Sequence, residues 1–181
     1  LNFDNIALSG GGETPLASPY GGFTWLQTGV YQPDGSIPGY VAGSGSNLAF
    51  FALNGGVGYS PAGTPVTASN GTFTFLGATF VSPFDPLLPI TAFAVDNGVI
   101  VGTYNFTASQ GAPTYVDFST VAGFSNIDEI RFTSANYFGF DDFTTVAAAP
   151  LATGNVVDGS DGGLGGDTNL TDGVPDTPGA D

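Results

Sequence analysis

Ile90-Thr-Ala-Phe-Ala-Val95 and Val99-Ile-Val-Gly-Thr-Tyr-Asn-Phe106 are two apolar runs joined by Asp96-Asn-Gly98. Alternating residues in each run put side chains on opposite faces, the two-residue period of a strand. Phe93 and Val95 share one phase; Val99 and Val101 fall on one phase of the second run, with Tyr104 and Phe106 on the other. Asn97 and Gly98 both tolerate positive φ, so the step reads as a tight hairpin turn.

The same alternation recurs outward from this hairpin. Thr72–Phe75 alternates, and Thr114–Phe118 and Ile127–Phe132 put Val116, Phe118, Ile130 and Phe132 on one face. Phe23 and Trp25 share a face and read as core, and Asn47–Leu53 reads as a buried strand. Ser9–Pro19 and Tyr31–Gly45, rich in Gly, Pro and Ser, read as loops. No helical stripe of useful length interrupts the pattern. Nine or ten strands at this spacing predict an all-β, jelly-roll-like antiparallel sandwich over residues 1–149. Residues 150–181 form a Gly- and Asp-rich acidic tail.

The chain contains no Lys, His, Cys or Met, and Arg131 is its one basic side chain against 16 Asp and Glu, a formal net charge of −15. Imidazole, thiolate and amine chemistry are therefore missing. A glycosidase would need two placed carboxylates, and neither Glu13 nor Glu129 sits in a recognisable setting. No catalytic residue and no organic cofactor are expected. So acidic a chain is repelled by nucleic acid and by anionic lipid, and it has no apolar run of membrane-spanning length. Hard cations are the partners its oxygen chemistry favours. The start at Leu1, without Met, reads as a mature, processed N-terminus or a trimmed chain, and the expected location is extracellular or on the cell surface. Asn70-Gly-Thr72, Asn105-Phe-Thr107 and Asn169-Leu-Thr171 are glycosylation sequons.

Two acidic steps stand at opposite ends of the sandwich: Leu1-Asn-Phe-Asp-Asn-Ile6 and Phe138-Gly-Phe-Asp-Asp-Phe143. Phe138 and Phe140 share a parity that Phe143 breaks, and Phe3 and Ile6 differ likewise. A slip of phase implies a β-bulge, which re-aims side chains. First and last strands are neighbours in many sandwiches. Asp4, Asn5, Asp141 and Asp142 are therefore candidate ligands of a Ca²⁺ ion held by carboxylate and carbonyl oxygens. In the tail, Gly162-Gly-Leu-Gly-Gly-Asp167 fits the start of a Ca²⁺-binding nonapeptide, in a single copy. Asp167, Asn169, Asp172 and Asp176 are weaker candidates, their spacing stretched by one residue against an EF-hand loop.

The order of phrases resembles PEP-CTERM-associated exported bacterial proteins with a jelly-roll, carbohydrate-binding-module-like sandwich. The phrases are Asn2-Phe-Asp-Asn-Ile6, Tyr20-Gly-Gly-Phe-Thr-Trp25, Phe73-Thr-Phe-Leu-Gly-Ala-Thr-Phe80, Asp96-Asn-Gly98, Ile127-Asp-Glu-Ile-Arg-Phe132 and Phe138-Gly-Phe-Asp-Asp-Phe143. The resemblance implies a structural Ca²⁺ held by Asp142 or Asp141 with Asp4 or Asn5. The family's Val-Pro-Glu-Pro sorting signal is not present in this sequence.

The expected function is structural: a secreted, Ca²⁺-stabilised subunit of an extracellular filament, sheath or matrix. Identical subunits would join by strand addition and by tail contacts, with Gly154–Val157 the donated segment. The alternative is a carbohydrate-binding or lectin-like surface protein, with polysaccharide as partner and Trp25, Tyr31, Tyr40 and Tyr59 as its stacking platform. Arg131 is expected to pair with Asp128, Glu129 or a carboxylate on an adjacent strand.

Overall fold

The computed structural model describes residues 1–8, 12–51, 64–68 and 71–147. They form eleven strands: β1 Glu13–Pro15, β2 Phe23–Trp25, β3 Thr28–Tyr31, β4 Leu48–Phe51, β5 Thr64–Ala68, β6 Phe73–Val81, β7 Leu87–Asp96, β8 Val99–Ser109, β9 Thr114–Asp117, β10 Glu129–Ser134 and β11 Gly139–Ala147. There is no helix among the described residues, hence none long and apolar enough to cross a membrane. The strands make two antiparallel sheets, β1-β3-β4-β11-β6-β9 and β2-β5-β10-β7-β8. The expected all-β sandwich is therefore what the chain forms, within the unit Leu1–Ala148. β1 lies inside the Gly/Pro-rich stretch read as loop; three residues are too few to leave an alternation.

The β7–β8 hairpin turns where the Asn-Gly step says it should. Asp96 pairs with Val99, and Asn97 and Gly98 have φ of +50° and +78°. Its register slips by one at Val101, because Ala94 pairs with Gly102 but Val95 with Ile100. The face of β7 is the reverse of the one expected from Phe93. Leu88, Ile90, Ala92 and Ala94 all face the core and Val95 is buried past the slip, while Phe93 lies half-buried on the opposite side.

Phenylalanine fills the space between the sheets. Phe3, Phe51, Phe75, Phe80, Phe118, Phe124, Phe132, Phe138, Phe140 and Phe143 are almost wholly buried. Ring centroids approach to 4.8 Å for Phe75–Phe143 and 4.9 Å for Phe51–Phe140. Each such ring contributes about 1.5–3 kcal/mol through burial alone, and tilted pairs add roughly 0.5–1.5 kcal/mol. Trp25 belongs to this core, its indole N–H donating to Tyr20 O at 2.9 Å. Tyr31 and Tyr40 are buried too. Trp25, Tyr31 and Tyr40 therefore do not form an open stacking platform, and Tyr59 lies outside the described residues. So do the tail candidates Asp167, Asn169, Asp172 and Asp176 and the segment Gly154–Val157.

The opening run departs from expectation. Leu1–Ile6 is not a strand but a turn, closed by Ile6 N–H on Phe3 O at 3.1 Å. The two-residue phase is lost there because Phe3 enters the core against Trp25 and Phe140 while Asn2 and Asn5 stay exposed. The run nevertheless lies beside the last strand. Phe143 N–H donates to Leu1 O at 2.8 Å, and Leu1 N bonds back to Phe143 O.

Candidate functional site

The parity slip at Asp141-Asp142 is a bulge. Asp141 pairs with Thr79 and Thr144 with Gly77, so Asp142 and Phe143 together face Ala78. Asp142 takes up the left-handed conformation, φ +52°, which Asp accepts more readily than most residues. The next step reverses the slip, Thr145 pairing with Phe75. In consequence Phe140 and Phe143 both enter the core, and the two carboxylates between them engage the same residue, Ser44.

That residue lies in Gly43-Ser-Gly-Ser-Asn47, the segment leading into β4. Ser44 N–H donates to Asp141 Oδ2 at 2.8 Å, and Ser44 Oγ–H donates to Asp142 Oδ1 at 2.6 Å. Asp142 Oδ2 accepts from Thr79 Oγ1 at 3.0 Å, and Asp141 Oδ1 accepts Asp142 N–H at 2.8 Å. From the other side Asp4 Oδ1 accepts the N–H groups of Ser46 at 2.7 Å and Asn47 at 3.0 Å. Asn47 answers through its amide, which donates to Phe3 O at 3.0 Å and Ile6 O at 2.8 Å. The opening turn, the segment 43–47 and the bulge of β11 are thus one clasp.

Two glycines make the close approach possible. A Cβ on Gly45 would stand 2.0 Å from Asp4 Oδ2, and this residue also has φ of +55°. A Cβ on Gly43 would stand 2.9 Å from Asp142 Oδ2. The small-residue run is a loop in the sequence reading; its function is to let backbone donors reach carboxylates.

The structure therefore gathers Asp4, Asp141 and Asp142 on one segment, as the sequence proposed, and leaves Asn5 out. Asn5 is exposed and its Oδ1 accepts from the Tyr20 hydroxyl at 2.7 Å. Ser44, Thr79 and Asn47 were not foreseen. Asp141 is only 1% exposed. Burial pushes its carboxyl above the usual range, and the neighbouring charges of Asp142 and Asp4 push the same way, against the hydrogen bonds from Ser44 and Asp142. No basic side chain offsets this charge, since Arg131 on β10 of the other sheet pairs with Glu129. Among the described residues no three acidic side chains converge as a ready-made metal cluster. The donor set is nonetheless all oxygen: carboxylates of Asp4, Asp141 and Asp142, and hydroxyls of Ser44 and Thr79. That chemistry suits a hard cation such as Ca²⁺, which draws on hydroxyl, carbonyl and water oxygens as well as carboxylates.

No protein-family model and no curated protein matches this chain. Among solved structures, the sandwich is similar to the crystal structure of a DUF4465 family protein from Bacteroides caccae. The TM-score is 0.54 at 14% sequence identity, over 80% of this chain and 96% of that one. At that identity the likeness shows the fold.

Proposed function

We propose that this protein is a secreted structural subunit of an extracellular filament, sheath or matrix, joined to identical copies through the edge strand β8 and stabilised by Ca²⁺ at the clasp. The carrying observation is the contrast between β8 and the other sheet edges. β1 has three residues, including Glu13 and Pro15; β2 has three; β9 has four and ends in Asp117. These are edges that resist pairing. β8 runs for eleven residues with no charge and no proline, and beyond the bulge at Val101 it is regular. At its tip Val99, Ile100 and Val101 are 61%, 53% and 47% exposed. A body carrying −15 repels its own copies, and this uncharged edge is where two copies approach with least repulsion and most backbone hydrogen bonding. Ca²⁺ at Asp4, Asp141 and Asp142 would neutralise the buried charge and tie the opening turn to the last strand.

The test is sedimentation and electron microscopy of the full chain against Thr103→Glu/Asn105→Glu. Both positions are exposed on β8, and like charges opposed across an antiparallel pair disfavour it. Wild type should assemble with rising concentration and the double variant should stay monomeric with little change in Tm. Equal behaviour of the two proteins would refute β8 as the joint. Removal of Ca²⁺ by EDTA should lower Tm, and the Asp141→Asn/Asp142→Asn variant should lose that response. A Tm indifferent to both Ca²⁺ and EDTA refutes the metal.

A further inference from the structure

A second apolar cluster lies on the outer face of the six-stranded sheet, where Tyr31 of β3, Leu48 and Phe50 of β4 and Val81 of β6 pack with Tyr40. At its margin opens a cleft of about 290 Å³ whose walls include Glu13, Tyr31, Tyr40, Phe50, Phe84 and Tyr137. The rings are mutually inclined. Tyr31 and Tyr40 have centroids 5.4 Å apart at 49°, Tyr40 and Phe84 6.5 Å at 61°, and Phe84 and Tyr137 6.2 Å at 86°. This is a cup rather than the flat shelf on which a sugar ring stacks.

The Tyr31 hydroxyl is spent, donating to Asp34 Oδ1 at 3.2 Å and lying 3.1 Å from Ser36 Oγ, but the other polar groups of the cleft are not. Tyr40 is only 7% exposed; its hydroxyl makes no hydrogen bond among the described residues and, since no buried side-chain polar atom lacks a partner there, it reaches solvent. Burial holds its ionisation well above the usual tyrosine range, and Tyr137, Glu13 and Tyr31 add to this, which sets all of these groups close together. The Tyr137 hydroxyl and the Glu13 carboxylate likewise make no hydrogen bond or ion pair among the described residues. Phe84, a large apolar ring, is 51% exposed at the mouth.

We propose that this aromatic cup binds a methylated ammonium group, the cationic head of a small quaternary amine. Three features select that class. Ring faces attract a cation through their quadrupole, and quaternary ammonium is the group most often held by several rings at once. Glu13 supplies the counter-charge, in a chain whose net charge of −15 draws cations and repels anions. The volume is at the small end for ligand pockets, about 300–1,000 Å³, and takes one head group rather than a chain of sugars. Metal cations hold their water too strongly to prefer rings, whereas a methylated ammonium does not. The inference is independent of assembly through β8, and it can be tested on the monomeric Thr103→Glu/Asn105→Glu protein as well as on the full wild-type chain.

The experiment is calorimetric titration with choline and with tetramethylammonium, beside neohexanol, the uncharged tert-butyl analogue of choline, and a neutral glucose oligosaccharide. Choline and tetramethylammonium should saturate one site with Kd on the order of 1 mM or tighter, the affinity that a few cation–ring contacts provide. Neohexanol should bind at least about tenfold more weakly, because it keeps the shape and loses the charge. Glu13→Gln, on an exposed edge strand, should weaken choline by roughly three- to tenfold, and Phe84→Ala by a similar factor. Neohexanol binding as tightly as choline would overturn the proposal, as would an unchanged affinity in Glu13→Gln. So would saturable binding of the oligosaccharide at the same site, or no saturation by either onium ion. The comparison of choline with neohexanol needs no variant, so it stands even if Phe84→Ala fails to fold.

Discussion

Asn47→Ala tests whether the clasp fastens the opening turn to the sandwich. The wild-type amide is 1% exposed and donates to two main-chain carbonyls, Phe3 O and Ile6 O. Truncation removes both donors; Phe3 O keeps the Ile6 N–H at 3.1 Å, and Ile6 O is left to water. A buried polar group deprived of its partner costs about 1–3 kcal/mol. Ile6 is half-buried, so water recovers part of that cost at its carbonyl, and with the bond lost at Phe3 O the expected loss is about 1–3 kcal/mol. For a unit of this size each kcal/mol moves Tm by roughly 2–4 °C, so Tm should fall by roughly 2–12 °C, read by calorimetry. Asn47→Asp discriminates the reason. It keeps the volume but turns carboxylate oxygens toward two carbonyls, close to Asp4, whose Oδ1 already accepts the main-chain N–H of this position. It should be worse than Asn47→Ala at neutral pH and should recover in acid, as the new carboxyl is protonated. If Asn47→Asp melts with wild type, or above Asn47→Ala, the reciprocal clasp is not what holds the turn.

Two further outcomes follow from the charges. In EDTA, Asp141 should act to raise Tm as pH is lowered from neutral toward 3.8, against the Leu1 ammonium, whose pKa is held below its usual 8.0 by burial and which costs stability as pH falls below that value. Folded Asp141 has a pKa above its ordinary 3.8 and binds a proton where the unfolded chain does not, so its contribution to stability is gained as pH falls into that window and lost as pH rises through it. Asp34 and Asp117, exposed and lowered by Ser36 and Ser119, act oppositely but only below 3.8. Asp141→Asn should abolish that contribution, and an equal slope in both proteins would remove Asp141 as its source. Arg131→Gln should cost only about 0–1 kcal/mol. The Arg131–Glu129 pair is partly exposed, at 29% and 17%, and Glu129 keeps the Thr67 hydroxyl at 3.2 Å. A loss of several kcal/mol in chemical denaturation would contradict this.

How much of this was legible from the sequence depends on whether a feature is local. The β7–β8 hairpin was, because Asn97 and Gly98 carry their turn in their own backbone preferences. The bulge at Asp142 was, because Phe140 and Phe143 both have to reach the core and only an extra residue lets them. The slip at Val101 was not: Val99, Ile100 and Val101 are alike in chemistry, so no parity break shows. The opening run reads as a strand, though it is a turn, for the opposite reason. Its apolar residues suit a strand, and the carbonyls that make it a turn are satisfied by Asn47, more than forty residues away. Asn47 itself stands at the edge of a buried apolar run, where an amide has to find partners; its position was a signal, though not of which partners.

The cup and the clasp differ in the same way, and this bears on what each can do. Every functional group of the clasp lies in a phrase with a pattern: Asp4 in the opening run, Asp141-Asp142 at a parity break, Ser44 between two glycines. Its groups bond one another, so it is first a structural joint and only then a cation site. Glu13, Tyr40, Phe84 and Tyr137 come from an edge strand and three separate loops, and no spacing links them. Burial in the second cluster orders Tyr40, yet among the described residues its hydroxyl and the Glu13 carboxylate make no hydrogen bond, and half of the Phe84 ring faces solvent. Phe84→Ser would remove a ring that is 51% exposed, and losing its half-buried part should cost only about 1 kcal/mol. If Phe84 serves a ligand, the same change should shift the choline concentration needed for a given rise in Tm upward by roughly three- to tenfold, with the unliganded Tm lowered only slightly. A ring whose loss destabilises the free protein by several kcal/mol would instead be part of the packing, and the cup would then be a by-product of the second core.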